Sequence, residues 1–164
     1  MRRKQMSGMH IQQATNLEDI AVVRLLIQEY VTGLNISLNF QNCDEELATL
    51  PGKYAPPAGC LLVARANAQA AGCVALRPLE DGICEMKRLY VRPEFRGHQL
   101  GRRLAEAIIG EARRLEYRAM RLDTLDTLKP ALALYTSRGF RVIPAYYHNP
   151  VPNVVYLELD LKRT

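Results

Sequence analysis

The stretch VRPEFRGHQLGRRLAEAIIGEARRL, residues 91–115, decides the reading of this chain. An apolar run ends at Val91, a turn containing Pro93 follows, and from about His98 the apolar residues recur at Leu100, Leu104, Ala107, Ile108, Ala112 and Leu115. That is the spacing of one helix face, and Arg102, Arg103, Glu106, Glu111, Arg113 and Arg114 fall largely between those positions, so one side packs and the other meets water. A strand that hands over to a helix aims the helix's first unpaired N–H groups at the strand end, where they bind anions. Gly97 and Gly101 remove side chains where a phosphate would need close approach, and Arg96 and Arg102 add fixed charge and bidentate donors. The junction reads as a pyrophosphate cradle; the alternative is a tight turn with glycines for geometry and arginines for solubility. Its spacing is neither G-x-G-x-x-G nor G-x-x-x-x-G-K-[ST], which argues against a Rossmann dinucleotide site and a P-loop.

Working outward, residues 10–15 alternate as a strand, and Asn16 offers a cap to a helix over 17–33 whose first turn carries Glu18 and Asp19. Asp44 to Leu50 reads as a second short helix, and LPGKYAPPAG (residues 50–59) as a loop. Strands are predicted over 60–66, 70–79 and 83–91, separated by the turn-like NAQ and EDG, and they assemble most simply as an antiparallel meander. Beyond the long helix come a strand over 119–123, a helix over 127–137 with Pro130 in its first turn, and Gly139 at a left-handed stop. Strands over 140–144 and 154–161, joined by AYYHNPVPN, close the chain.

The totals narrow the classes. A chain of 164 residues, 48% hydrophobic and 24% charged, has the length and composition of one soluble domain. Of the net charge of +5, Arg2, Arg3 and Lys4 supply three and leave +2 for the rest, a weak signal for nucleic acid. No apolar run nears the roughly 18 residues of a membrane span, and Met1 to Met9 lacks the apolar core of a secretory signal. The expectation is a cytoplasmic protein with no membrane or nucleic-acid partner. Cys43, Cys60, Cys73 and Cys84 are far apart without a C-x-x-C pair, so they read as packed thiols and not as a metal site.

Val91 to Arg102 resembles the acetyl-CoA signature of the GNAT family of N-acetyltransferases, R/Q-x-x-G-x-G/A. Arg96 and Gly101 fit its first and last sites, and Gln99 stands where the middle glycine would be. CEMKRLYV (84–91) resembles the family's fourth strand, and ALALYTSRGF (131–140) the helix and turn after its fifth. With the element order, the likeness covers nearly the whole chain. It implies an α/β (α+β) GNAT acyl-CoA N-acyltransferase fold: a mixed, mostly antiparallel seven-stranded sheet flanked by about four helices. The single N-acetyltransferase domain would occupy 8–164 behind a basic tail over 1–7. In that fold the fourth and fifth strands splay, and the pantetheine arm of CoA lies in the opening, paired to the fourth strand like an added strand. The resemblance thus implies acetyl-CoA as cosubstrate, no metal, and cofactor contacts from Leu89, Tyr90, Val91, Arg96, Gly97, His98, Gln99, Leu100, Gly101 and Arg102.

Acetyl transfer to an amine needs a neutral amine, stabilisation of a developing oxyanion and a proton for the leaving thiolate. Glu85 matches the place of the general base in some GNAT enzymes; it could equally pair with Lys87 or, across the hairpin, with Arg77. Tyr135 matches the general-acid tyrosine of the family's LYxxxGF segment; it could also be a packed helix tyrosine. A backbone N–H near Leu89 to Val91 is the implied oxyanion donor, turned by a strand bulge. His98 reads as a backbone or solvent contact, Asp123 and Asp126 as caps at a strand end and helix start, and Cys84 as facing away from Glu85. The acceptor region falls at 34–58 and 145–153, where Asp44, Glu45 and Glu46 could attract an amine and Tyr146, Tyr147 and His148 could form a wall. The implied function is acetyl transfer to a primary amine of a small molecule in a ternary complex. The alternatives are a protein N-terminus or lysine as acceptor, or a module that binds acetyl-CoA without catalysis. By fold analogy, the sheet edge at the C-terminal strands makes a homodimer an expectation.

Overall fold

The computed structural model describes residues 8–34 and 42–162; the basic tail expected over 1–7 lies outside them. Strand β1 (Met9–Gln13) alternates half-buried and exposed residues, as a strand with one covered face should. The Asp19 N–H donates to the Asn16 side chain at 2.8 Å, opening α1 (Leu17–Leu34), which buries Ile20, Val23, Leu26 and Ile27 along one stripe. Asp19 also accepts from Gln12 at 2.9 Å and pairs with Arg65 at 2.7 Å, so the same turn that starts the helix ties it to the sheet. Replacing Asn16 by alanine should cost about 1 kcal/mol, read as a lower midpoint of denaturant unfolding with unchanged slope.

Helix α2 (Cys43–Thr49) and a single helical turn (Gly52–Tyr54) lead into the meander β2 (Cys60–Ala66), β3 (Gln69–Glu80) and β4 (Ile83–Val91). The first hairpin turns on Asn67 and Ala68, both at positive φ (50° and 69°), the twist that two-residue hairpins favour. After a turn at Pro93–Phe95 come α3 (Leu100–Arg114), β5 (Ala119–Leu125), α4 (Lys129–Ser137), β6 (Arg141–Ile143) and β7 (Val154–Asp160). The helices begin later than expected, at Leu100 instead of His98 and at Lys129 instead of Thr127. In the first case Gln99 sits in the left-handed region (φ 61°) and cannot belong to the helix. Gly139 does take the left-handed stop after α4, at φ 100°.

The seven strands form one sheet in the order β1-β2-β3-β4-β5-β7-β6. Every neighbouring pair is antiparallel except β4 and β5, whose crossover is α3, as a parallel pair requires. One sheet face, with Leu62, Val74, Leu76, Cys84 and Met86, packs on Leu104, Ile108 and Ala112 of α3 and on Tyr135 and Phe140. The other, with Leu61, Val63, Cys73 and Ala75, packs on α1. All four cysteines are buried and free. Among the described residues no helix is long and apolar enough to cross a membrane.

Candidate active site

Strands β4 and β5 pair over three positions only: Ile83 with Ala119, Cys84 with Met120 and Glu85 with Arg121. Beyond that they part, because β5 stays paired to β7 along its whole length, from Ala119 to Leu125. The gap becomes a cavity of about 110 Å3 whose walls include Lys87 and Leu89 of β4, Asp123 of β5, Tyr30 of α1, Tyr135 of α4 and Asn149. On the far edge of β4 the register slips: Cys73 faces Tyr90, but Ala75 faces Lys87. Two residues, Arg88 and Leu89, therefore stand opposite Val74, and Arg88 takes φ 61°. This is a β-bulge beside the cavity, the kind of kink that re-aims strand amides. It lies one residue ahead of the span implied for the oxyanion donor. The Arg88 side chain is clamped by Glu46 of α2 (Nε to Oε2, 2.9 Å), which also accepts the Tyr54 hydroxyl. Glu46 is thus spent on holding the bulge and is not free to attract an amine.

At the C-terminal end of β4 the chain makes its turn, passes Gly97 at φ +85° and Gln99 at φ 61°, and enters α3 with no side-chain cap. The first amides of α3 are left for an external partner. A methyl group added at Gly97 would meet nothing within 4 Å, and at Gly101 its nearest neighbour would be Val91 Cγ2 at 3.8 Å, so open space lies over both glycines. Arg96, His98 and Gln99 are exposed, whereas Leu100 is buried in the core and anchors the turn. Arg96 Nε donates to the Val91 carbonyl at 3.0 Å. Arg102 pairs with Glu106 at 3.1 Å, both side chains nearly half exposed, a contact weak enough to yield to a stronger anion. Tyr90 and Val91 are half-buried at the strand end.

Tyr135 is buried, its ring edge-on to Phe140 at 5.6 Å, and it lines the cavity. Its hydroxyl makes no hydrogen bond among the described residues. Burial, with lesser contributions from Tyr30 and Asp123, pushes its pKa well above the ordinary tyrosine value, so it carries its proton at neutral pH.

Glu85 is fully buried and not among the cavity's lining residues. Its Oε1 accepts from Arg77 Nε at 2.9 Å and lies 4.0 Å from Lys87 Nζ, and its Oε2 accepts from the Tyr146 hydroxyl at 2.5 Å. The ion-pair arrangement is the one realised. Taking a substrate proton directly would require Glu85 to surrender one of these partners. Cys84, on the opposite face, donates to the Ala119 carbonyl at 3.6 Å, and burial pushes its thiol up to about 12, so it offers no thiolate nucleophile.

Asp123 is no cap. It lies inside β5, and α4 begins after Leu128 without a side-chain cap. Its Oδ2 accepts the Tyr147 hydroxyl and, at 2.8 Å, the Asn149 side-chain amide. Tyr156 donates to the Tyr147 carbonyl at 2.8 Å, and its ring meets those of Tyr146 and Tyr147 edge to face, while the latter two are tilted against each other. The loop between β6 and β7 is thereby fastened over Glu85 and Asp123 and walls the cavity on the α1 side. Lys87 lies opposite, its pKa lowered first by burial and supported by the charges of Glu85 and Asp123. Tyr30, Lys87, Asp123 and Asn149 were not singled out as site residues from the sequence. The usable signal was the alternation RLDTL, which puts Arg121 and Asp123 on the sheet face of Glu85 and Lys87.

A sheet split at its single parallel pair, with an uncapped helix at the mouth of the split, defines the architecture of acyl-CoA N-acyltransferases. Residues 21–140 match the model of the acetyltransferase (GNAT) family. An uncharacterized N-acetyltransferase of Schizosaccharomyces pombe is 51% identical over 148 residues, spanning 89% of this chain and 91% of the relative. Two solved structures share the fold. A GNAT-family acetyltransferase of Staphylococcus aureus is 19% identical with a TM-score of 0.78, covering 94% of this chain and 100% of that one. The PaiA N-acetyltransferase of Thermoplasma acidophilum, in complex with coenzyme A, is 15% identical with a TM-score of 0.70, covering 93% and 99%. The chain belongs to the GNAT family and is an N-acetyltransferase.

Proposed function

We propose that this N-acetyltransferase moves an acetyl group from acetyl-CoA to a primary amine of a small molecule, both substrates being bound together. The observation that carries the proposal is the continuity of three features: the uncapped helix start over open glycines, the unpaired edge of β4, and the protonated Tyr135 inside the split. When bound, acetyl-CoA supplies an activated acyl group as a thioester. The residues present fit such a cosubstrate. The amides from Gly97 to Arg102, with Arg96 and Arg102, would hold its diphosphate; Leu89, Tyr90 and Val91 would pair with its pantetheine arm; and the bulge at Arg88 would turn a backbone N–H toward the carbonyl oxygen. Tyr135 would give its proton to the departing sulfur.

The narrowness of the cavity and the fastened loop over it favour a compact acceptor over an extended peptide. Release of CoA from acetyl-CoA, measured with butylamine, phenethylamine, free amino acids and short peptides, tests this. Saturable turnover with the small amines and none with peptides is the expected result; turnover confined to peptides would shift the acceptor to proteins, and no turnover with any would overturn the reading.

Glu85 serves as a positioning residue, fixing Tyr146 and balancing Arg77 and Lys87. Glu85→Gln should lower stability by about 3 kcal/mol, because it removes a buried carboxylate charge that the buried Lys87 and the part-buried Arg77 share. Its pH–rate profile should keep the wild-type shape. Urea unfolding and a pH series check the two halves of this prediction.

A further inference from the structure

We infer, on the footing of the acetyl-transfer reading above, that Asp123 receives the acceptor as an ammonium ion and takes its proton. The carboxylate stands two residues beyond Arg121, the last β5 residue paired to β4, so it lies just past the point where the strands part. Leu122 belongs to the core on the α3 face, which turns Asp123 to the α1 face, while Tyr135 approaches the same cavity from α4. A base and an acid thus reach one small cavity from its two sides, as direct transfer between amine and thioester demands. Oδ2 is fixed by Tyr147 and Asn149, and Oδ1 accepts no hydrogen bond among the described residues. The rival carboxylate, Glu85, has both oxygens engaged outside the cavity.

The proton balance closes with these two groups. An alkylammonium of pKa near 10.4 is neutral only about once in a thousand or less at pH 7. Asp123 takes its first proton and later passes it to solvent. The neutral nitrogen then forms the new N–C bond to the acetyl carbon as the C–S bond breaks. Tyr135 protonates the sulfur and is restored by the second proton, shed by the acylated nitrogen. The acceptor is accordingly a primary alkylamine that arrives charged, and a carboxylate at this depth selects for that charge.

The charged and titratable groups facing Asp123 are Lys87 from β4, Tyr30 from α1, Tyr135 from α4, Tyr146 and Tyr147 from the loop and Tyr156 from β7. All are shared by the wild type and an Asp123→Asn variant, so the ratio of the two at each pH isolates Asp123. The asparagine keeps an oxygen for Tyr147 and Asn149.

With butylamine as acceptor, kcat/KM measured from pH 6 to 9 should be nearly flat for the wild type. In Asp123→Asn it should be at least about a hundredfold lower at pH 7 and rise about tenfold per pH unit, following the neutral amine. Calorimetric affinity for CoA should stay within twofold, and Asp123→Glu should keep the flat profile. A wild-type rate that itself rises tenfold per unit, a variant deficit that does not shrink with pH, or turnover equal in the two would overturn the assignment of Asp123 alone. Absence of wild-type turnover with every amine tried overturns the acetyl-transfer reading, and this inference with it.

Discussion

Tyr135→Phe should lower kcat about a hundredfold while leaving the affinity for acetyl-CoA within about twofold. The ring keeps its edge contact with Phe140 and its place in the core, so folding and the cavity walls survive; only the hydroxyl is lost. That hydroxyl is the cavity-lining donor whose proton is retained through neutral pH by burial. A positioned general acid contributes roughly 100- to 10,000-fold, and water admitted by the missing oxygen recovers part of it, which sets the estimate at the lower end. Steady-state kinetics with calorimetry separates the two effects. Equal turnover by wild type and variant would remove Tyr135 from the mechanism, and a matching fall in affinity would make it a binding residue instead.

Gly97→Val should act the other way, raising the dissociation constant for CoA at least tenfold with a smaller effect on stability. Gly97 holds φ +85°, a region that a β-branched residue occupies only at a cost of about 1–3 kcal/mol. Nothing lies within 4 Å of the added Cβ, so the free protein meets no clash and relaxes by moving the turn. The movement tilts the amides between Gly97 and Arg102 away from a common target, and the branched side chain fills the space above them. One tenfold loss corresponds to about 1.4 kcal/mol. Calorimetric titration and thermal unfolding of the same variant distinguish lost affinity from lost fold.

The fold was legible because its signals are local. Residues 91–115 carry a strand end, two glycines and a helix period that agree with each other, and Asn16 and Gly139 mark a start and a stop that the backbone adopts. The turn into the uncapped start of α3, with open space over Gly97 and Gly101, was legible for the same reason: its parts are neighbours in sequence. Helix starts were less legible, since the left-handed turn at Gln99 is set by packing of Leu100 into the core and not by any local preference of glutamine.

On the loop side of the cavity Tyr146 and Tyr147 were expected as a wall, but the partners they hold there are non-local and stayed hidden. Glu85 meets Tyr146 across 61 positions and Asp123 meets Asn149 across 26, contacts that no period or spacing encodes. Asp123 read as a helix cap because a carboxylate ahead of a helix usually is one; strand β5 runs two residues further than expected, to Leu125, and carries it into the split instead. Glu46 shows the reverse case. It lies at a helix start where acids are ordinarily solvated, yet it turns inward to clamp Arg88 at the bulge.

All of this depends on whether the turn between Arg96 and Arg102 grips the diphosphate of coenzyme A. Isothermal titration of CoA into the folded wild-type chain, alongside Gly97→Val, tests that grip without any assumption about the acceptor. The account predicts saturable one-to-one binding well below about 1 mM that weakens at least tenfold in the variant. Wild-type protein that shows no saturable binding, or a variant that binds as tightly as wild type, would contradict it.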